Sequence, residues 1–292
     1  MQILDGKVTS SKILEALRTK NEALMGTGQR PPHLVAILVG NDGASETYVA
    51  SKVKHCEQVG FKSTLFRYED SVTQEKLLEL IDTLNADKAV DGILLQLPLP
   101  KHIDEFRVTD AIAPGKDVDG FHPENLGRML KGLPSYLPAT PYGILLILES
   151  YGIDTAGKHC VIVGRSNIVG KPMSVLMSRN AYPGNCTVTL CHSQTPDLAE
   201  HCRRADILIA ALGKPEFIRA GMVKDGAVVI DVGITRVKDD RKKSGYSIRG
   251  DVAFAEVSAK CAYISPVPGG VGLMTIAGLL MNTWKAREMN NK

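Results

Sequence analysis

The sequence predicts an α/β protein of two domains, each built on a parallel sheet. Three observations carry this expectation. Short apolar runs alternate with helical patterns from residue 10 to residue 97, the order that generates βαβ units. A second βαβ pattern starts at residue 159, beyond a glycine-rich irregular stretch that follows Pro114. Finally, 292 residues are enough to bury two cores.

The elements follow in order: helix 10–24, strand 33–39, helix 44–59, strand 64–67, helix 74–86 and strand 92–97. Within helix 44–59, Val49, Val53 and Cys56 form the i, i+4, i+7 stripe of a buried face. Thr140 and Pro141 supply an N-cap and a first-turn proline for a helix to about residue 150, which places the domain boundary near 141. Strand 159–163, helix 173–179 and strand 186–191 then make the second βαβ unit, and strands 207–210 and 228–232 extend its sheet. A last helix runs from 274 to about 287. The mixed-sign run 238–243, followed by Ser244 and Gly245, reads as a solvated hairpin tip.

The net charge is +3, with Lys and Arg spread along the chain, so no basic block suggests a nucleic-acid face. No apolar run reaches membrane-spanning length, and residues 1–17 lack a signal-peptide core. The six cysteines contain no Cys-x-x-Cys pair, and no Cys/His spacing matches a common zinc pattern. A soluble, cytoplasmic protein without a metal is therefore expected.

Chemistry concentrates in five motifs. Val161 to Pro172 runs an apolar strand through Gly164-Arg165-Ser166-Asn167-Ile168-Val169-Gly170 into a helix start. A glycine permits the sharp turn there, and free helix amides can face a phosphate. From Arg165 to Pro196 there is no acidic residue, although a dinucleotide fold usually places a ribose-binding acid about 20 residues past its glycines. A 2'-phosphate is tolerated in such a stretch. Arg165 offers it a charge-assisted contact, Ser166 and Ser193 offer hydroxyls, and His192 ends the second strand, where an acid would favour NAD.

Tyr48 and Lys52 lie one helical turn apart, bordering the buried stripe. In that position a lysine either lines a cleft, where partial burial lowers its pKa toward a usable base, or covers the core with its stem. The strand at 92–97 ends in Gln96 followed by Pro98 and Pro100, at the carboxyl edge where open sheets place ligands. Lys116-Asp117-Val118-Asp119-Gly120 puts two carboxylates in a loop, for turn chemistry or for accepting hydrogen bonds from an amino heterocycle. Pro266-Val267-Pro268-Gly269-Gly270-Val271-Gly272 is a loop that lets backbone approach a ligand closely.

Together, and in this order along essentially the whole chain, these motifs resemble the bifunctional methylenetetrahydrofolate dehydrogenase/methenyltetrahydrofolate cyclohydrolase family of one-carbon metabolism. The chain departs from the family pattern at Gly43, Ala139 and Leu273, where proline, cysteine and proline are common. The resemblance implies a folate-binding catalytic domain over 1–141 joined by the final helix, 273–292, and a Rossmann-type NADP-binding domain over 142–272. It implies oxidation of 5,10-methylenetetrahydrofolate with NADP+ and hydrolysis of the methenyl product to 10-formyltetrahydrofolate, serving tetrahydrofolate interconversion and purine biosynthesis. One cleft would serve both reactions. Lys52 would be the acid/base group, Tyr48 would orient it, Gln96 would set its protonation and Asp119 would bind the pterin. Pro268, Gly269 and Gly270 would line the folate, while Gly164, Arg165, Ser166, Ile168, Val169, Gly170, His192, Ser193 and Ile234 would line NADP. A homodimer through the nucleotide domain is also implied.

Three alternatives stand beside this reading. One is an enzyme that keeps a single activity. Another is a non-catalytic nucleotide sensor, whose mark would be loss of Lys52 or Asp119; both are present. The third is a short-chain dehydrogenase, but its Tyr-x-x-x-Lys follows the glycine turn, whereas here it precedes Gly164.

Overall fold

The computed structural model describes residues 1–242 and 245–290. Its elements are β1 (Gln2–Ile3), α1 (Gly6–Gly26), β2 (His33–Val39), α2 (Gly43–Gln58), β3 (Lys62–Tyr68), α3 (Gln74–Ala86), β4 (Gly92–Leu95), α4 (Glu105–Asp110), α5 (Pro123–Leu130), α6 (Ala139–Ser150), β5 (His159–Val163), α7 (Gly170–Ser178), β6 (Thr187–Cys191), α8 (Leu198–Arg203), β7 (Ile207–Ala210), β8 (Val228–Asp231), β9 (Thr235–Lys238), β10 (Tyr246–Arg249), α9 (Phe254–Val257), β11 (Tyr263–Ile264) and α10 (Val271–Asn290). The chain divides into two compact units, one of residues 11–139 and 276–292, the other of 1–10 and 140–275.

The first unit holds a parallel sheet in the order β3-β2-β4. β2 is central and every one of its residues is buried, as both faces of a parallel sheet must be when helices cover them. Its side chains divide by the two-residue period of a strand. Leu34, Ala36 and Leu38 enter one core with Val49 and Cys56 of α2 and Ile276, Leu279 and Leu280 of α10. Val35, Ile37 and Val39 enter the other with Leu77, Ile81 and Leu84 of α3. The N-terminus of α2 is capped by Asp42, whose carboxylate accepts from Ser45 N at 2.8 Å, and that of α3 by Thr73. Beyond β4, Asn282 of α10 is buried and donates from Nδ2 to Val118 O and Leu137 O, both at 2.8 Å. The last helix thus ties down the loop that carries Asp119.

The second unit is a parallel sheet of six strands, β1-β11-β8-β7-β5-β6. From β5 the chain steps outward to β6 and then crosses back to β7 on the other side of β5. The order therefore reverses between β5 and β7, and open sheets bind ligands at the carboxyl ends of such strands. Val161, Val163, Leu208, Ala210 and Val229 face a common core.

Several expectations need correction. Residues 1–10 belong with the nucleotide-type unit rather than with 11–139, because β1 pairs in parallel with β11. The strand expected at 186–191 begins at Thr187, lies at the sheet edge and is half exposed, so Cys186 sits just before it. β9 and β10 do form an antiparallel hairpin, but Lys243 and Ser244 of its expected tip lie outside the described residues. The final helix starts three residues earlier than expected, at Val271. No described helix is long and apolar enough to cross a membrane.

Replacing Asn282 by Ala leaves the buried Val118 carbonyl, at a cost of about 1–3 kcal/mol, and the half-buried Leu137 carbonyl without their donor. Urea denaturation of Asn282→Ala is expected to give a midpoint well below wild type, with about 2 kcal/mol or more lost; a change under about 0.5 kcal/mol would contradict the anchoring role.

Candidate active site and nucleotide edge

The carboxyl end of β4 and the second and third turns of α2 bring Lys52, Tyr48 and Gln96 together. Lys52 is 4% exposed despite carrying an ammonium group. Its Nζ donates to Gln96 Oε1 at 3.1 Å and stands 4.5 Å from the centroid of the Tyr48 ring. The surface reading of this lysine does not hold, because its ammonium is buried against Gln96 and Tyr48. Gln96 is itself fixed: its backbone N–H extends the ladder to Ile37 O at 2.9 Å, and its Nε2 donates to Leu97 O at 2.8 Å. With the amide nitrogen so engaged, only the oxygen faces the lysine.

Burial pushes the Lys52 pKa below its ordinary value, and the charge of Asp119 partly offsets this. The same desolvation pushes the Asp119 carboxyl up, with Lys52 opposing. No ion pair of 4 Å or less joins the two, so each feels the other through space.

The Asp117/Asp119 loop divides its labour. Asp117 is buried and takes the turn chemistry: its Oδ1 accepts from Gly120 N and Phe121 N at 3.1 and 3.2 Å, and its Oδ2 from His122 N at 2.8 Å and Asn125 Nδ2 at 2.9 Å. Desolvation nevertheless raises its pKa to about 6. Asp119, by contrast, makes no side-chain hydrogen bond among the described residues. Lys116 closes the loop from below, donating from Nζ to Leu84 O at 2.7 Å and Asp87 O at 2.6 Å at the end of α3. Gly120 adopts φ +78° with backbone of Leu137 and Pro138 against it, so no side chain fits there. Ala139, a departure from the family pattern, is fully packed in the apolar core; Gly43 is the exposed first residue of α2, and Leu273 is half-buried in α10.

In the second unit Gly164 ends β5 with φ +122°, and a Cβ there would strike Ala211 O, just past β7. A Cβ on Gly170 would strike Gly164 O. Both glycines are therefore obligatory for a turn this tight. Arg165, Ser166 and Ile168 are exposed above it, whereas Val169 and Gly170 are buried. Ser166 Oγ accepts from Val169 N at 3.1 Å and Gly170 N at 3.4 Å. The amides of the N-cap residue Val169 and of Gly170, the first residue of α7, are thus already met, while the Ser166 hydroxyl proton stays available. His192 and the exposed Ser193 follow β6, whose Cys191 registers with Val163 of β5. His192 is held by Thr195 Oγ1, which accepts from its N–H at 2.9 Å. Ile234, exposed, follows β8, and Pro268 to Gly270 follow β11 in the same unit. An arginine and two serine hydroxyls at adjoining strand ends, with no acid between Arg165 and Pro196, fit a phosphorylated ribose.

Two residues essential to this edge escaped the sequence reading. Asp231, at the end of β8, accepts from Gly233 N and Asp251 N, both at 2.9 Å, and from Val252 N at 3.0 Å. Asp251 is fully buried and its Oδ2 accepts from Leu212 N and Gly213 N. The signal was present as an acid closing the apolar run Val228-Val229-Ile230, but its long-range partners were not. Among the described residues no group of three or more His, Cys, Asp or Glu side chains could hold a metal ion.

Family models match in both units: a tetrahydrofolate dehydrogenase/cyclohydrolase catalytic domain over residues 4–119, and the corresponding NAD(P)-binding domain over 138–291. A curated relative, the bifunctional protein FolD of Cytophaga hutchinsonii, is 62% identical and covers 99% of this chain and all of its own. The crystal structure of the bifunctional FolD methylenetetrahydrofolate dehydrogenase/cyclohydrolase from Campylobacter jejuni is 49% identical, with TM-score 0.92 over 99% of each chain. That of Trypanosoma brucei, complexed with NADP and an inhibitor, is 36% identical, with TM-score 0.94 over 99% of this chain and 97% of that one.

The lowered pKa of Lys52 has a consequence for stability. Between the lowered value and 10.5 the unfolded chain binds the proton more readily than the folded one. Stability from this group therefore rises with pH through that window and is diminished below it. Lys52→Met, similar in length and without charge, is expected to raise Tm at pH 7, with a gain that shrinks as pH approaches 10. Calorimetry at both pH values checks this, and a Tm equal to or below wild type at pH 7 would contradict it.

Proposed function

The chain belongs to the tetrahydrofolate dehydrogenase/cyclohydrolase family, and from that premise we propose how its residues divide the two reactions. The protein is a bifunctional enzyme that oxidises 5,10-methylenetetrahydrofolate to the 5,10-methenyl form with NADP+ and hydrolyses that product to 10-formyltetrahydrofolate. The observation that carries our assignment of roles is the buried Lys52 ammonium held by Gln96 and Tyr48.

NADP+ supplies the hydride acceptor for the oxidation. That step releases no proton from the methylene carbon, so the chain's task there is orientation. Hydrolysis is different. A water oxygen bonds to the methenyl carbon, and one of its protons passes to neutral Lys52 Nζ. As the C–N5 bond breaks, its electron pair returns to N5, which takes the proton from Lys52. The carbinol proton leaves to solvent and the formyl group remains on N10. Such a cycle needs a lysine that both gains and loses a proton near neutral pH. Desolvation favours the neutral amine, whereas Asp119 and the Gln96 oxygen favour the ammonium. Asp119, whose carboxylate makes no hydrogen bond among the described residues, would accept from the pterin amino group, and Tyr48 would fix the lysine and the folate ring. Pro268 to Gly270 would approach the folate by backbone.

On the nucleotide side Arg165, Ser166 and Ser193 would take the 2'-phosphate, with Gly164, Ile168, Val169, Gly170, His192 and Ile234 lining the rest. Family resemblance supports a cytoplasmic homodimer, with no nucleic acid or membrane as partner.

Lys52→Met is expected to lower cyclohydrolase kcat by about 100-fold or more, while the folate dissociation constant stays within a few-fold; wild-type hydrolysis rates would remove the lysine from the mechanism. Arg165→Ala should reduce dehydrogenase kcat/KM with NADP+ by about 10- to 100-fold, the loss of a charged hydrogen bond, and leave that with NAD+ nearly unchanged. Parallel assays with the two nucleotides decide, and equal losses would count against a 2'-phosphate contact.

A further inference from the structure

We propose that Asp251 is a positioning residue for the nucleotide: by clamping the loop after β7 from beneath, it holds the glycine turn of β5 in binding form. The proposal rests on the reading that this unit binds NADP.

Asp251 lies just past β10, outside the strand ends that bear the nucleotide residues, and is completely buried. Its Oδ2 accepts from the consecutive amides of Leu212, at 2.5 Å, and Gly213, at 3.0 Å. These residues follow Ala211, and Ala211 O is the atom packed against Gly164. A displacement at 212–213 is therefore passed to the glycine turn, where there is no room to absorb it. On its other side Asp251 presses on Gly233, which leaves no space for a Cβ, while its own N–H is held by Asp231 Oδ1. Asp231 also holds Gly233 N, one residue before Ile234. Loops after β7, β8 and β10 are thus locked together by two carboxylates.

A merely structural clamp would be expected to satisfy all its atoms. Asp251 Oδ1 is buried with no hydrogen-bond partner, and an unmet buried acceptor lowers stability. The arrangement favours a pre-set nucleotide edge over maximal stability, as sites of function do.

The test measures NADP binding by calorimetry together with both activities in Asp251→Ala and Asp251→Asn. In Asp251→Ala the NADP dissociation constant and the KM for NADP+ are expected to rise about tenfold, with cyclohydrolase kcat/KM within twofold of wild type. Asp251→Asn, which keeps an acceptor oxygen for the two amides, should recover NADP affinity to within threefold. Should the alanine variant fail to fold, Asp251→Ser decides by the same criterion, since the serine hydroxyl is one bond shorter than the carboxylate oxygen that meets the two amides. An NADP affinity within threefold of wild type in the deciding variant, or parallel loss of both activities, overturns the proposal. A wild-type protein that binds no NADP would instead overturn the functional reading on which it rests.

Discussion

Buried aspartates that accept from loop amides are the interaction on which the rest of this protein depends. Parallel strands leave their connecting loops with backbone N–H groups that the ladder cannot satisfy, and burying such groups unpaired is costly. The chain answers repeatedly with the same device. Asp117 holds Gly120, Phe121 and His122; Asp231 holds Gly233, Asp251 and Val252; Asp251 holds Leu212 and Gly213. Asp91, fully buried, holds His33 N while Arg30 neutralises it from the other side with a bidentate pair. Carboxylates suit this task because they accept at several positions without donating. Desolvation raises Asp117 and Asp231 to about 6, a measure of how strongly these sites resist charge even when the amides favour it.

That device separates residues that shape a site from residues that act in it. Asp117 and Asp119 are two positions apart in one loop, and the first absorbs the turn so that the second is spared it. The same division appears in the second unit, where Gly164 and Gly170 are fixed by contact with backbone while Arg165, Ser166 and Ser193 project into solvent. Rigid backbone beneath exposed polar side chains is what preorganised recognition requires.

Much of this was legible in the sequence, for reasons that differ between elements. β2 could be read because six consecutive apolar residues, Leu34 to Val39, admit little other than a strand covered on both faces. α3 could be read because Leu77, Ile81 and Leu84 repeat at helical spacing between polar residues. Lys52 could be placed only on a border, since periodicity assigns a direction and not a depth; its burial depends on β4 and on the loop carrying Asp119, far away in sequence. β1 could not be read at all. Two residues carry no periodic signal, and Gln2–Ile3 becomes a strand only because β11 is there to pair with it. The roles of Asp231 and Asp251 were hidden for the same reason, because their amide partners lie up to 39 residues away.

Burial of Lys52 sets stability against chemistry within one side chain. An exposed lysine would cost the fold nothing, but it would stay protonated at neutral pH and could not accept a proton from water. A lysine buried without partners would be neutral and of little use as an acid. The surroundings seen here lie between these limits: the Gln96 oxygen and Tyr48 ring meet the ammonium directly, whereas the carboxylate of Asp119 acts from beyond ion-pair distance. Were Asp119 in contact, the pair would lock the lysine in its charged form. Separation of the two charges is therefore the feature that lets the Asp119 loop bias the protonation of Lys52 without fixing it in one state.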